Sequence, residues 1–352
     1  MSTCRGVVFP GDGTYETREF PIPEPVSGGA VLKVEAVGLC ASDVSQLHGH
    51  HHVPGEVSPI VPGHEIVGRV HSLAADAALG VEVGQRVGVD LVLFGGREGH
   101  GLDVYGYTIG PEVEHGLWGG YGEYMGLFPG THLVPLTDDV SAAELSLFEP
   151  LASIVNWSDM LDLRPHDRLV IQGPGHMGLI AAAYAASQIG VCQIIVTGTS
   201  KDAVRLEAAL AVGAHEVINV DEEPDLVGRI HELTRGGASA VMELTALATQ
   251  PVADSIEMAA FGGRILLAGL KDDSPTEIVS DHIVFKSLRL IGGSGSTAPT
   301  MERAGEVLNS GTFPTEALLG ETYTLDELDT ALQMLERKID GRDAVRVSLV
   351  HP

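Results

Sequence analysis

From Asp167 onward, short apolar runs alternate with segments of helical period. Leu169-Val-Ile-Gln172 reads as a strand and 179–189 as a helix stopped by Gly190. Gln193-Ile-Ile-Val-Thr197 is a second strand, followed by a helix over 202–212 that ends at Gly213. Strands at 215–220, 240–244, 264–268 and 288–291, with helices at 225–233 and 253–260, complete six strands. Such alternation predicts a doubly wound parallel sheet of the Rossmann type with helices on both faces. Residues 5–150 differ: they are rich in Gly, Pro and Val, with strand-like runs at 30–37, 66–72 and 85–92 and little helical period. That pattern predicts a barrel-like β domain with long loops. After Gly295, helices over 300–308 and 325–338 precede a strand at 344–350 that is expected to return to the first domain. The expected layout is a discontinuous domain of residues 1–155 and 295–352, with a Rossmann domain over 156–294.

The most specific local signal is Gly173-Pro-Gly175-His176-Met177-Gly178, set between the first strand and the first helix of the second domain. Glycines at this spacing allow a tight turn, let the backbone approach a pyrophosphate without a Cβ, and aim helix N-terminal N–H groups at phosphate. The strand before and the helix after are the context the motif requires. It predicts a dinucleotide site.

Composition narrows the partners. With 21 basic and 48 acidic residues the formal charge is −27, which argues against nucleic acid or an anionic membrane surface. Three widely spaced cysteines, Cys4, Cys40 and Cys192, make no disulfide framework and suit a reducing compartment. The first ten residues lack the apolar stretch of a signal peptide, so the expectation is a cytoplasmic protein without membrane contact.

The β domain carries Cys40-Ala-Ser42-Asp43 and Gly63-His64-Glu65, and Phe148-Glu149-Pro150 precedes the Rossmann part. A thiolate, an imidazole and carboxylates are what a catalytic zinc takes, one position staying open. Spacing alone leaves a buried structural Cys and a solvated His-Glu pair as alternatives. Joined to the dinucleotide motif, these segments and Leu117-Trp-Gly-Gly-Tyr-Gly-Glu-Tyr124 resemble, in order and over nearly the whole length, the zinc-dependent medium-chain dehydrogenase/reductase superfamily. The resemblance implies a GroES-like β-barrel catalytic domain beside the Rossmann domain. It implies zinc held by Cys40, His64 and Glu149, with Glu65 as a neighbouring carboxylate that can join the metal. Glu149 in place of a third Cys matches the sorbitol and threonine dehydrogenase branch. Asp43 would fix the tautomer of His64, and Ser42 would take the substrate proton. Two departures stand out. Residues 91–116 contain no cysteine, so a single zinc with no structural zinc is expected; and Ser45 stands where many relatives have a relay histidine, leaving His48, or His50 to His52, as a substitute.

Cofactor choice turns on the end of the second Rossmann strand, where NAD enzymes offer an acid to the ribose. Here Gly198 stands in that place, followed by Thr199, Ser200, Lys201 and, one turn on, Arg205. The expectation is NADP or dual use, with NADP favoured. Thr245, Ala268, Gly269, Leu270, Gly293 and Ser294, at strand ends, would hold the nicotinamide side. The function implied is hydride transfer between a secondary alcohol or polyol and NAD(P) in a homodimer or homotetramer. Kept open beside it are a zinc-free quinone or enoyl reductase of the same superfamily and a non-catalytic dinucleotide-binding protein.

Overall fold

A computed structural model describes residues 2–97 and 99–351. The chain divides into two compact units, one of residues 1–149, 304–309 and 319–352, the other of 150–303 and 310–318. The crossovers therefore differ from the sequence expectation. The chain leaves the first unit after Glu149, at the start of the helix Phe148–Met160, and 310–318 belongs to the second unit. Helical period runs unbroken through 148–160, so no composition change marks that boundary.

In the first unit the long strand Ala30–Gly38 is the centre of a seven-stranded sheet. It pairs antiparallel with Glu65–Leu73 along nearly its whole length. Its other edge is shared by Val347–Val350 and Tyr124–Leu127. The sheet continues through Arg86–Val89 to Leu133–Pro135, and Glu321–Tyr323 lies beyond Val347–Val350. Residues 344–350 thus return to the first unit, as their β-rich run suggests. Ala30–Gly38 is buried at most positions on both faces, with Lys33 exposed and Glu35 partly buried, which is why the run reads as mostly apolar. Its core takes in Phe9, Leu32, Val37, Ile66, Trp118 and Tyr121. Trp118 is fully buried and stacks on Phe128 at 4.0 Å, with Nε1–H donating to the Val113 carbonyl, so it is a core residue. A separate hairpin pairs Val92–Phe94 with Leu102–Val104.

The second unit contains six parallel strands: β1 (Arg168–Gln172), β2 (Gln193–Gly198), β3 (Glu216–Asn219), β4 (Ala238–Glu243), β5 (Ala259–Leu267) and β6 (Arg289–Gly292). Their order is β3-β2-β1-β4-β5-β6, so the direction of winding reverses between β1 and β4. Helices α1 (His176–Tyr184), α2 (Ala203–Ala211), α3 (Leu226–Leu233) and α4 (Gln250–Met258) connect them. The predicted helix over 179–189 is α1 plus a π-helical turn at Ala185–Ile189, closed by Gly190 at φ 73°. Val170, Ile195, Val241 and Ile265, one from each central strand, sit at the centre of this core. In an open sheet of this kind ligands bind beyond the carboxyl ends of the strands near the reversal point, which here is the turn after β1. No helix among the described residues is long and apolar enough to cross a membrane.

Candidate active site

The pairing of Gly38 with Glu65 brings two sequence segments together. Cys40 follows the end of the first strand as N-cap of the helix Ala41–Leu47, while His64 and Glu65 stand at the start of the second. One ligand atom from each of Cys40, His64 and Glu65 lies within 4.8 Å of the others. His64 and Glu65 are buried. A sulfur, a nitrogen and an oxygen donor at this mutual distance fit around a zinc ion with bonds of about 2.0–2.3 Å.

Asp43 is wholly buried beneath the group. Its Oδ2 accepts the Cys40 backbone N–H at 2.8 Å and the Tyr121 hydroxyl at 3.3 Å. Its Oδ1 is 3.6 Å from His64 Nδ1 and has no hydrogen-bond partner. A buried carboxylate oxygen left without a donor beside the His64 ring is the mark of a site that lacks positive charge. Burial alone would lower the His64 pKa, yet the influence of Tyr107 and of the neighbouring Asp43 and Cys40 outweighs burial and holds it well above the ordinary value. The unpartnered Asp43 oxygen fits a cation among these donors. The Ser42 hydroxyl is 2.9 Å from the Tyr107 hydroxyl, which is 3.2 Å from His64 Nδ1.

Glu65 is fixed from the far end of the chain. Arg346, buried just before the strand Val347–Val350, donates through Nη2 to Glu65 Oε2 and, at 2.8 Å, to the Ser146 carbonyl. A Cβ at Gly38 would collide with both partners, so the glycine makes room for the ion pair. Glu149 lies half-buried in the first turn of the helix Phe148–Met160 and is not part of the close group of three. His48 is exposed at the C-cap of Ala41–Leu47, its ring 6.5 Å from that of His50. No hydrogen bond joins His48 to Ser42 among the described residues; the neighbour that Ser42 has is Tyr107. Sequence reasoning missed Arg346 and Tyr107, because nothing local distinguishes an arginine before a strand or a tyrosine in a long loop.

In the second unit Gly173 adopts φ 96°, and a Cβ on Gly178 would run into the Gly173 carbonyl, so helix α1 packs directly on the turn. Gly175 caps α1 and faces open space, leaving room for a phosphate beside the N–H groups of His176, Met177 and Gly178. At the end of β2 a Cβ on Gly198 would fall 2.7 Å from the Pro174 ring, so this position has no room for the acid. The donors that follow are committed: the Thr199 hydroxyl donates to Asp202 at 2.7 Å, and the Ser200 N–H donates to Asp221 at 2.8 Å. Asp221, two residues past β3, was not legible as a site residue because its neighbour in space is the loop after the preceding strand. Lys201 is exposed and Arg205 half-buried.

At the end of β4, Glu243 is fully buried and accepts the Thr245 N–H at 2.9 Å. Lys271 pairs with Glu243 at 2.9 Å and donates to the Thr245 carbonyl at 2.6 Å. Ala268 and Gly269 donate their N–H groups to the Glu243 carbonyl, and Gly293 donates to that of Leu267, while Leu270 and Ser294 are exposed. The strand-end residues expected near a nicotinamide are thus gathered along the ends of β4, β5 and β6, tied down by a Glu-Lys pair.

Known proteins resemble this chain over nearly its whole length. The alcohol dehydrogenase GroES-like domain family matches residues 27–138, and the zinc-binding dehydrogenase family matches 177–310. A Mycobacterium tuberculosis protein named as a probable alcohol dehydrogenase is 32% identical, covering 97% of this chain and 96% of its own. A sorbitol dehydrogenase of Halalkalibacterium halodurans is 28% identical over 96% of each. An alcohol dehydrogenase of E. coli CFT073, solved with NADH, superposes with a TM-score of 0.85 over 100% of both chains at 22% identity.

Replacing Arg346 with Met should leave Glu65 buried without its counter-charge and destabilise the protein by about 3–5 kcal/mol. Urea unfolding of the variant checks this. A midpoint unchanged from the native protein would show that the pair carries no such role.

Proposed function

Because the chain belongs to the zinc-type medium-chain dehydrogenase/reductase superfamily, we propose that it oxidises a secondary alcohol or polyol, and reduces the corresponding ketone, with one catalytic zinc and a nicotinamide dinucleotide. The observation that carries the reading is the buried Cys40, His64 and Glu65 group with its unsatisfied Asp43 oxygen. That group favours a metal enzyme over the zinc-free reductase and over a protein that only binds a dinucleotide. The sorbitol dehydrogenase relative supports the polyol side of the substrate class.

Cys40 and His64 would hold the zinc, with Glu65 or Glu149 as the carboxylate. When bound, zinc supplies a Lewis acid for the substrate oxygen, and the nicotinamide ring supplies the hydride acceptor. The chain's own residues do the rest. Asp43 orients the His64 ring, and Arg346 holds one Glu65 oxygen. Ser42 would relay the alcohol proton, taking it as its own hydroxyl proton passes outward to the cofactor ribose or to water, with the hydroxyl aligned by Tyr107. The turn at Gly173 to Gly178 binds the pyrophosphate through the N–H groups of α1, and the strand-end residues from Thr245 to Ser294 line the nicotinamide side.

For the cofactor's ribose, the loop geometry supports NAD rather than the NADP that Gly198 suggests from sequence. A 2′-phosphate beside Thr199 and Ser200 would meet two carboxylates, Asp202 and Asp221, that already take the donors it needs. Asp221 would then read the ribose hydroxyl in place of an acid at Gly198. The exposed Val284 and Phe285, 72% and 75% accessible, precede the edge strand β6, and they support a homodimer built along that edge.

Three results are expected. Purified protein should contain stoichiometric zinc and reduce the nicotinamide cofactor with secondary alcohols or polyols, and Cys40→Ala should lose both metal and turnover; full activity after chelation would contradict the reading. The native enzyme should have a higher kcat/KM for NAD than for NADP, and Asp221→Asn should narrow that ratio about tenfold, near 1.4 kcal/mol. An unchanged ratio would remove Asp221 from the account. Light scattering should report a dimer or tetramer that falls to monomer in Phe285→Asp, whereas a native monomer would rule out the edge contact.

A further inference from the structure

Arg168, Gln193 and His215 stand at the amino ends of β1, β2 and β3, three strands adjacent in the sheet. Together with His166, Cys192 and the segment Leu233 to Arg235 at the end of α3, they line an open cavity of about 440 Å³. It lies at the end of the sheet opposite the phosphate-binding turn, which follows the carboxyl end of β1. Five residues of β1 at about 3.3 Å each keep the two roughly 16 Å apart.

The chemistry of this cavity runs against that of the chain as a whole. The protein has 48 acidic against 21 basic side chains, yet no acidic residue lines the cavity, and Arg168 and Arg235 both do. Elsewhere arginines pair with carboxylates, from Arg5 with Glu123 to Arg346 with Glu65, and Arg205 also has a partner. Arg168 and Arg235 have no carboxylate within ion-pair distance among the described residues. The nearest acid in sequence, Asp167, is buried and committed to Arg264 and to the Ser239 hydroxyl. Arg168 is held by a 3.3 Å hydrogen bond from Nε to the Gly237 carbonyl, which leaves the terminal nitrogens of its guanidinium fork to other partners. His215 Nδ1 accepts the Ile194 N–H at 3.1 Å, so its proton resides on Nε2 and is available to an acceptor. In a chain so acidic, two guanidinium groups left together without carboxylates keep a concentrated positive field at one place.

We propose that this cavity is a binding site for a small multivalent oxyanion, a phosphorylated or polyphosphate compound, with the Arg168 and Arg235 guanidinium groups as its principal ligands. Planar guanidinium forks match phosphate oxygens in geometry and charge. His215 Nε2–H and Gln193 add neutral donors. The site neither depends on the zinc chemistry nor shares a residue with the dinucleotide turn.

Cys192, exposed in the cavity wall, provides the reporter. Its modification by uncharged N-ethylmaleimide is followed by peptide mass spectrometry, with NADH present to fill the dinucleotide site and ionic strength held constant with sodium chloride. Inorganic pyrophosphate should slow the labelling of Cys192 at least fivefold in the native protein. In the double variant Arg168→Gln, Arg235→Gln the protection should vanish, while circular dichroism and the labelling rate without pyrophosphate stay as in the native protein. Citrate serves as the carboxylate arm, and protection weaker than that by pyrophosphate is expected. Absence of protection in the native protein, equal protection in the double variant, or stronger protection by citrate would each overturn the assignment.

Discussion

The demand for positive charge beneath the strand pair Ala30–Gly38 and Glu65–Leu73 organises the first unit. Asp43 and Glu65 are withdrawn from water there beside Cys40 and His64, and burying carboxylates without compensation costs several kcal/mol each. The fold answers in three ways. Arg346 crosses 281 residues of sequence to meet Glu65, His64 is driven toward its charged form, and an Asp43 oxygen remains without a partner. The third is a residual deficit, and a divalent cation among Cys40, His64 and Glu65 would remove it. With such a cation bound, His64 would serve as a neutral ligand, and the negative charge of the thiolate and carboxylates would be balanced by metal and arginine together.

That balance also gives Glu65 its part. Glu65 is tied to Arg346 through Oε2 and also offers a carboxylate oxygen within 4.8 Å of the Cys40 and His64 ligand atoms, so under the proposed function it would have a choice between arginine and metal. Glu149, held in the first turn of a helix, gives a second carboxylate on a different element. Under the proposed function, either acid would serve as the carboxylate ligand of a zinc that keeps one position open for substrate.

How far the sequence foretold this depends on the range of each constraint. The turn at Gly173 to Gly178 was legible because its requirement is local: a positive φ at Gly173, a contact that excludes any side chain at Gly178, and a helix starting between them. The six parallel strands were legible as well, since each is a short apolar run with a helix after it. Cys40, His64 and Glu65 were legible only through their resemblance to a family, because the cross-strand pairing of Gly38 with Glu65 that brings them together is not visible in either segment alone. Arg346, Tyr107, Lys271 and Asp221 had no local signal; each acquires meaning from a partner on another element. At Gly198 the sequence showed that an acid was missing, and the structure gave the reason, the ring of Pro174. It also showed a second acid, Asp221, reaching the same loop from the next strand.

The central claim is that the Cys40, His64 and Glu65 group is a metal centre with a thiolate ligand. Cobalt(II) substituted for the native ion gives the most direct test by absorption spectroscopy. The account predicts intense visible bands of tetrahedral cobalt together with a sulfur-to-cobalt charge-transfer band in the near ultraviolet, the latter lost in Cys40→Ser. Weak octahedral bands with no sulfur transition, the same in the native protein and in Cys40→Ser, would contradict it.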